Sequence, residues 1–360
     1  LQICLITDQH FGARNDSVNF LEYYEKFYRN IFFPTLKERK IKTVLILGDT
    51  FDRRKYINFY SLKRAKEMFF DILAQEDIQV HMLAGNHDTY YKNTNEVNSV
   101  DLLLREYDNI NVIDSPQVIH LNYQNESDDV CMIPWMCPEN YTQCLDVMKH
   151  TKATICCGHF EIEGFAMYRG NHSEEGLPQN LFQKFDMTFS GHYHHKSNQG
   201  GIHYLGNPYH LTWQDYGDPR GFHILDLKTR KLDFVLNPYE MFIRVVYDDK
   251  KNDITTLATQ EFSEYQNKYI KVVVVNKTNP YLFDVFINNI YQAGPADVSI
   301  VEDFSALTEG VDDDIVEQAE DTLTILNTFV DSIEHENIDG NKLKTVLKEL
   351  YVEALNLEQA

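Results

Sequence analysis

Thr43-Val44-Leu45-Ile46-Leu47-Gly48-Asp49-Thr50-Phe51-Asp52 passes from a short apolar run into a glycine and two carboxylates. An unbroken apolar run of this length is what a strand looks like when both of its faces are covered. The glycine removes a Cβ and lets the backbone turn tightly beside whatever the carboxylates hold. The same pattern recurs four times. Leu1–Thr7 runs into Asp8-Gln9-His10, and Gln79–Leu83 into Gly85-Asn86-His87-Asp88. Ala153–Cys157 runs into Gly158-His159, and Met187–Ser190 into Gly191-His192-Tyr193-His194. Between the strands, residues 17–40 place Val18, Leu21, Tyr24, Phe27, Tyr28, Ile31 and Leu36 at helical spacing, and 58–75 repeats the pattern. Strands alternating with covering helices predict an α/β fold.

In such sheets ligands gather outside the carboxyl ends of the strands. Five strands here deliver Asp, Asn or His at that end, with a glycine beside four of them. One such residue is a cap or a turn; five together form a site. Imidazole, carboxylate and amide oxygen without thiolate suit Mn, Fe or Zn in a mixed nitrogen and oxygen shell. The ligands are too many for one ion, so the pattern predicts a binuclear centre, with Asp49 as the natural bridge. Two ions about 3.5–4 Å apart lower the pKa of a shared water and neutralise a phosphoryl group in line with it.

Asp8-x-His10, Gly48-Asp49-x-x-Asp52, Gly85-Asn86-His87-Asp88, Gly158-His159 and Gly191-His192-x-His194 resemble, in order, the five motifs of the calcineurin-like metallophosphoesterase superfamily. Within it the chain resembles the SbcD-type DNA-repair nucleases, T-even phage members included. Ile133-Pro134-Trp135-Met136-Cys137, Cys157-Gly158-His159-Phe160-Glu161 and Gly217-Asp218-Pro219-Arg220-Gly221-Phe222 support the likeness. The resemblance implies a metallophosphoesterase sandwich of mixed sheets flanked by helices, with a small α+β cap and a C-terminal helical segment. It would give one metal Asp8, His10, Asp49 and His194, and the other Asp49, Asn86, His159 and His192. His87 would be the general acid for the departing 3′ oxygen, oriented by Asp88. Asp52 reads either as part of this set or as a turn or helix N-cap residue. The implied activity is a metal-dependent DNA nuclease, an exonuclease on duplex ends and an endonuclease on single strands. Manganese is the family's usual activator, and the donor set also permits Mg²⁺ or Fe²⁺. Family members dimerise through helices near 58–75 and 95–107 of this chain. Two other readings stand beside the nuclease. One is a phosphatase or small-nucleotide phosphodiesterase on the same metals; the other is a non-catalytic scaffold.

Composition qualifies the DNA reading. The 360 residues carry a formal net charge of −22, yet residues 301–360 hold 16 Asp and Glu against three Lys. The tail therefore supplies −13 and the first 300 residues −9. Between positions 53 and 66 there are six basic residues and no acid, beginning with Arg53-Arg54-Lys55. That cluster follows the Asp49 turn and is a candidate phosphate contact. The six cysteines form no CxxC pair and read as small buried hydrophobes of a reducing compartment. Apolar runs far short of the ~18–20 residues of a bilayer span predict no membrane association, and a soluble, cytoplasmic chain. His172, His195, His203, His210 and His223 read as surface or packing residues, His195 standing apart because it adjoins His194. Trp135 and Trp213 read as core or dimer-contact aromatics.

Asn237-Pro238 marks a boundary. Residues 1–238 would be the nuclease domain and 239–308 the cap, which in the family helps grip DNA. Met241–Tyr247, Lys268–Val275 and Asp297–Glu302 read as strands, and Pro280–Tyr291 as a helix starting on its proline. Residues 309–360 would be an acidic linker and a helical tail. Val316, Ala319, Leu323, Leu326, Val330 and Ile333 form one coiled-coil-like seam, and Leu343, Leu347, Leu350, Ala354 and Leu357 another. Such seams suit a hairpin packed on its own body or a docking element for a partner. In the family this region, 314–360 here, binds an SbcC-type coiled-coil ATPase. No GxxxxGK[ST] occurs, so ATP hydrolysis would come from that partner.

Overall fold

Alternate residues of each central strand point to opposite sides, and both sides are dry. Ile3 and Leu5 of the strand Gln2–Ile6 join Leu45, Leu47 and Leu83 in one buried cluster, while Cys4, Ile6, Val44, Ile46, Val80 and Met82 join another. This double burial is the physical origin of the continuous apolar runs. The computed structural model describes residues 1–302 except 124, 125, 169, 170, 174 and 253, together with residue 346. The tail leucines and valine expected to meet a partner, Leu323, Leu326, Val330, Leu347 and Leu350, lie outside the described residues.

Two six-stranded sheets face each other. In the first, Gln2–Ile6, Thr43–Ile46, Gln79–Leu83 and Ile110–Ile113 run parallel, and Gly221–Asp226 and Lys231–Leu236 extend the edge antiparallel. In the second, Met187–Gly191 lies parallel to both Ile155–His159 and Ile202–Tyr204. Val130, Met132, Ile155, Cys157 and Phe189 of the second sheet meet the leucines of the first in the interface. The outer face of the first sheet is covered by helical residues 18–38 and 59–75, each with one π-helical turn, which supply Phe20, Tyr24, Phe27, Tyr28, Phe32, Phe69 and Phe70. Each such side chain, fully buried, contributes about 1.5–3 kcal/mol, so this aromatic layer fixes the sheet against its helices. Helix Tyr141–His150 covers the second sheet's outer face through Cys144 and Met148. All six cysteines are buried and unpaired. The result is the expected α/β sandwich of mixed sheets flanked by helices.

Beyond Leu236 the chain forms a separate three-stranded sheet, Phe242–Asp248, Tyr269–Asn276 and Asp297–Glu302, with the helix Pro280–Gln292 on it. Asn279 caps that helix by accepting from the Leu282 N–H. Its own core holds Tyr247, Val272, Phe283 and Phe286. Phe20 packs against Phe242 and Tyr269, with centroids 6.1 and 5.6 Å away, and residues 1–301 form one compact unit. Among the described residues no helix is long and apolar enough to cross a membrane.

Candidate metal centre

The parallel pairing of the first two strands continues past their ends. Asp8 N–H donates to the Gly48 carbonyl at 3.0 Å, His10 N–H to that of Asp49 at 3.0 Å, and Phe11 N–H to that of Thr50 at 2.9 Å. This zipper holds Asp8 and His10 beside Asp49. It also requires unusual backbone: Asp8, His10, Asp49 and His192 all have positive φ, at 51, 45, 51 and 84°. Non-glycine residues reach that region at a cost of order 1–3 kcal/mol each, and such strain collects at functional sites. Gly48, at φ +98°, has no such choice, because a Cβ there would stand 2.5 Å from His159 Nδ1. At Gly85 a Cβ would strike the Asp49 backbone and carboxylate. The glycines therefore serve close approach between turns, as their position after the strands suggested.

Two groups of side chains converge. Asp8, His10 and His194 bring ligand atoms within 4.8 Å of one another, and so do Asp49, His159 and His192. The Asp49 Oδ2 lies 3.3 Å from His159 Nε2 and 3.8 Å from His10 Nε2, between the two groups. Asn86 Oδ1 lies 2.8 Å from His159 Nε2 and 3.0 Å from His192 Nδ1. The seven residues expected as ligands thus meet at one end of the facing sheets.

The hydrogen bonds behind the rings decide which atoms face inward. His159 Nδ1 donates to the Leu47 carbonyl at 2.7 Å, since a carbonyl only accepts, which leaves Nε2 to face Asp49 and Asn86. His192 Nε2 lies 3.0 Å from the Glu161 carboxylate, which leaves Nδ1 to face Asn86. Metal-binding histidines are oriented in this way by carbonyls and carboxylates behind them. In the neutral tautomers two nitrogen lone pairs and an amide oxygen converge, a donor set that a cation can bind and that a proton holds together in its place. His10 Nε2 and His194 Nε2 are 3.1 Å apart. Two nitrogens about 2.1 Å from one ion at octahedral or tetrahedral angles lie about 3.0–3.4 Å apart, so the spacing fits. The donor set fits two divalent cations.

Electrostatics without metal tell the same story. Burial opposes a charge on His159, yet the Asp49 carboxylate outweighs it and pushes the ring up to about 9. Burial likewise opposes a charge on His10, but Asp52, Asp49 and Asp8 bring it to about 9. Burial also works against an ionised Asp49, but His159, His87 and His10 hold it well below the usual carboxylate range. His194 is driven well down by burial and by the neighbouring His10. Protons on His10 and His159 thus take the place of positive charge that the carboxylates demand.

The structure changes several assignments. Asp88 does not orient the His87 ring: its buried carboxylate accepts from the N–H groups of Gly85, Thr50 and Phe51 at 2.9, 3.1 and 3.1 Å. It ties the Asp49 turn to the Asn86 turn. The His87 ring is held instead by the Asp52 carbonyl, 2.6 Å from Nδ1, and the His87 N–H donates to Asp49 Oδ1 at 2.8 Å. Asp52 is not a helix cap, since Asn58 caps the next helix. Its carboxylate lies 3.3 Å from His10 Nδ1, so it positions two site histidines. Trp135 is half-buried rather than core, and walls the centre, its ring 5.4 Å from that of His192 and 6.1 Å from that of His159. His195 joins Asp218 at 2.8 Å in a buried network with Arg220 and Asp215, and Arg220 also donates to the His194 carbonyl. Glu161 carries one signal in the sequence, a carboxylate two residues after the candidate ligand His159. The basic cluster is largely neutralised. Arg53 pairs with Asp16, Arg64 with Glu25, Lys66 with Glu106 and Lys63 with Glu67. Arg54 and Lys55 carry no ion pair among the described residues.

With the two triads and their histidine-orienting partners in place, the family comparison is decisive: residues 1–196 match the calcineurin-like phosphoesterase family. The chain belongs to that family. Exonuclease subunit 1 of Enterobacteria phage T4 is 29% identical over 366 residues, covering 98% of this phosphoesterase and 99% of the phage protein. The SbcD component of nuclease SbcCD in Staphylococcus saprophyticus is 22% identical over 379 residues, 97% of each chain. Its namesake in Staphylococcus epidermidis is 22% identical over 254 residues, 64% of this chain and 67% of that one.

Proposed function

We propose that this phosphoesterase is a metal-dependent DNA nuclease, an exonuclease on duplex ends and an endonuclease on single strands, acting in recombination and repair. The observation that carries it is the pair of ligand groups meeting at Asp49 with His87 hydrogen-bonded to the same turn, in a chain that spans nearly all of a phage exonuclease subunit. Asp8, His10 and His194 would hold one cation, and Asn86, His159 and His192 the other, with Asp49 shared. When bound, two divalent cations, Mn²⁺ in this reading, supply Lewis-acid charge neutralisation of a phosphodiester and ready a water for attack.

The protein's own atoms do the rest. His87 Nδ1 is committed as a donor to the Asp52 carbonyl, so Nε2 is the atom that holds a proton and hands it to the leaving oxygen. Asp88 keeps that histidine over the centre by fixing the backbone of both turns. Trp135 shields the His192 side. The same proposal takes 239–308 as a DNA-gripping cap and 314–360 as the segment that binds an SbcC-type ATPase. It also places a homodimer contact on the helices 59–75 and 99–104, where Phe59 and Leu102 are 86% and 59% exposed.

Cleavage of end-labelled duplex and single-stranded DNA with Mn²⁺, set against EDTA and Asp49→Ala, tests the reading. Manganese-dependent products that disappear in both controls are expected. Turnover of a small phosphoester such as bis-p-nitrophenyl phosphate, without any DNA cleavage, would replace the nuclease by a small-substrate phosphodiesterase.

A further inference from the structure

Three tyrosines stand exposed on the two turns that carry the Asp49 and Asn86 ligands. Tyr56 follows four residues after Asp52 and is 63% exposed; Tyr90 and Tyr91 follow directly on Asn86-His87-Asp88-Thr89 and are 39% and 51% exposed. The turns are tied together by the His87 ring on the Asp52 carbonyl and by the Asp88 bonds to Thr50 and Phe51. Their side chains are tied too. Lys55 Nζ lies 6.0 Å from the Tyr90 ring centre, and the Tyr90 and Tyr91 rings are 4.7 Å apart and nearly perpendicular. The Arg53 guanidinium lies 4.9 Å from the Tyr56 ring centre, held there by Asp16 and Asn15. Arg54 Nη1 is enclosed without a hydrogen-bond acceptor among the described residues, and its guanidinium feels the Asp49 charge.

Single exposed rings are ordinary, but rings gathered on one rim mark a surface that meets a partner. Here the rim's cations select the cover. Aromatic rings interleaved with basic side chains receive nucleic acid by stacking bases on the rings while the cations meet phosphates. A duplex keeps its bases stacked on one another and offers phosphates alone, whereas unpaired nucleotides offer both. Four of the six cations between 53 and 66 are already paired within the chain, so phosphate attraction is thin and stacking must dominate.

We infer that Tyr56, Tyr90 and Tyr91, with Lys55 and Arg54, form a stacking platform that receives unpaired nucleotides beside the metal centre. This deepens the nuclease reading and rests on it. The platform gives the centre a reason to take a single strand, or the frayed end of a duplex, in preference to continuous helix.

The test is fluorescence anisotropy with the full chain in EDTA, using a labelled oligo-dT and a blunt duplex of equal length. Removing stacked rings weakens single-strand binding at least tenfold. The Tyr56→Ala/Tyr90→Ala/Tyr91→Ala variant is therefore expected to raise the single-strand Kd tenfold or more and the duplex Kd less than threefold. The corresponding triple Tyr→Phe variant keeps the rings and is expected to restore the preference. A ratio of the two Kd values that does not move in the Ala variant overturns the platform, as does a Phe variant that loses as much as the Ala one. Manganese-dependent DNA cleavage by the unaltered chain is followed in parallel. Cleavage with an unmoved ratio defeats the platform alone, and absence of all cleavage defeats the nuclease reading beneath it.

Discussion

Replacing Glu161 separates the two halves of the metal centre. Its carboxylate lies 3.0 Å from His192 Nε2 and touches no ligand of the Asp8 group in the bonds described above. Glu161→Gln can turn an amide proton toward that nitrogen and let the ring take the wrong tautomer; Glu161→Ala removes the partner. Losing such a supporting group costs about 10–100-fold in metal affinity. That is about 1.4–2.7 kcal/mol on the site of Asp49, Asn86, His159 and His192. Folding stability should hardly move, because the Glu161 side chain is 51% exposed and an ion pair that open is worth at most about 1 kcal/mol. Mn²⁺ titration by calorimetry should therefore show two classes of site, one at its original affinity and one weakened about tenfold or more, with Tm of the metal-free protein nearly constant. Equal weakening of both sites, or of neither, would refute the assignment of Glu161 to the His192 side. A large fall in Tm would show that the carboxylate is structural instead.

His87→Ala should lower the rate of DNA cleavage by about 10²–10⁴ while Mn²⁺ still binds with full stoichiometry, which calorimetry and single-turnover assays check together. His10 and His159 stand at about 9 in the metal-free chain against an ordinary 6.5, so metal must displace their protons. Mn²⁺ affinity should rise with pH up to about 9, and calorimetry in buffers of different ionisation enthalpy should register proton release. Both values are raised on folding, so their stabilisation is complete below about 6.5 and is lost as pH rises through 9. The Tm of the EDTA-treated protein should fall over that interval, and added Mn²⁺ should restore it. Gly48→Ala places a Cβ at positive φ against His159 Nδ1, and should lower Tm and weaken Mn²⁺ at the Asp49 group, as melting curves and titration would show.

The sequence alone determined the strands, the turns that end them and the candidate ligands. Those features are local: Val44–Leu47 is apolar because both faces of its strand are covered, and Gly48 precedes Asp49 because the chain turns there through φ +98°. Ligand chemistry is equally local, since Asp, Asn and His announce it by type. What joins residues far apart was decided by tertiary structure. Asp88 adjoins His87 in sequence, which suggests a partner for the ring, yet its buried carboxylate accepts from three backbone N–H groups, while the carbonyl of Asp52, 35 residues away, holds the ring. The run of cations from Arg53 to Lys66 reads as a positive patch until helix packing brings Glu25, Glu106 and Asp16 against it. Trp135 and Glu161 lie in stretches that support the family likeness but stand outside its five ligand motifs. They became parts of the centre only when the second sheet set His159 and His192 between them, because the order of strands in a sheet fixes neighbours that no spacing along the chain records.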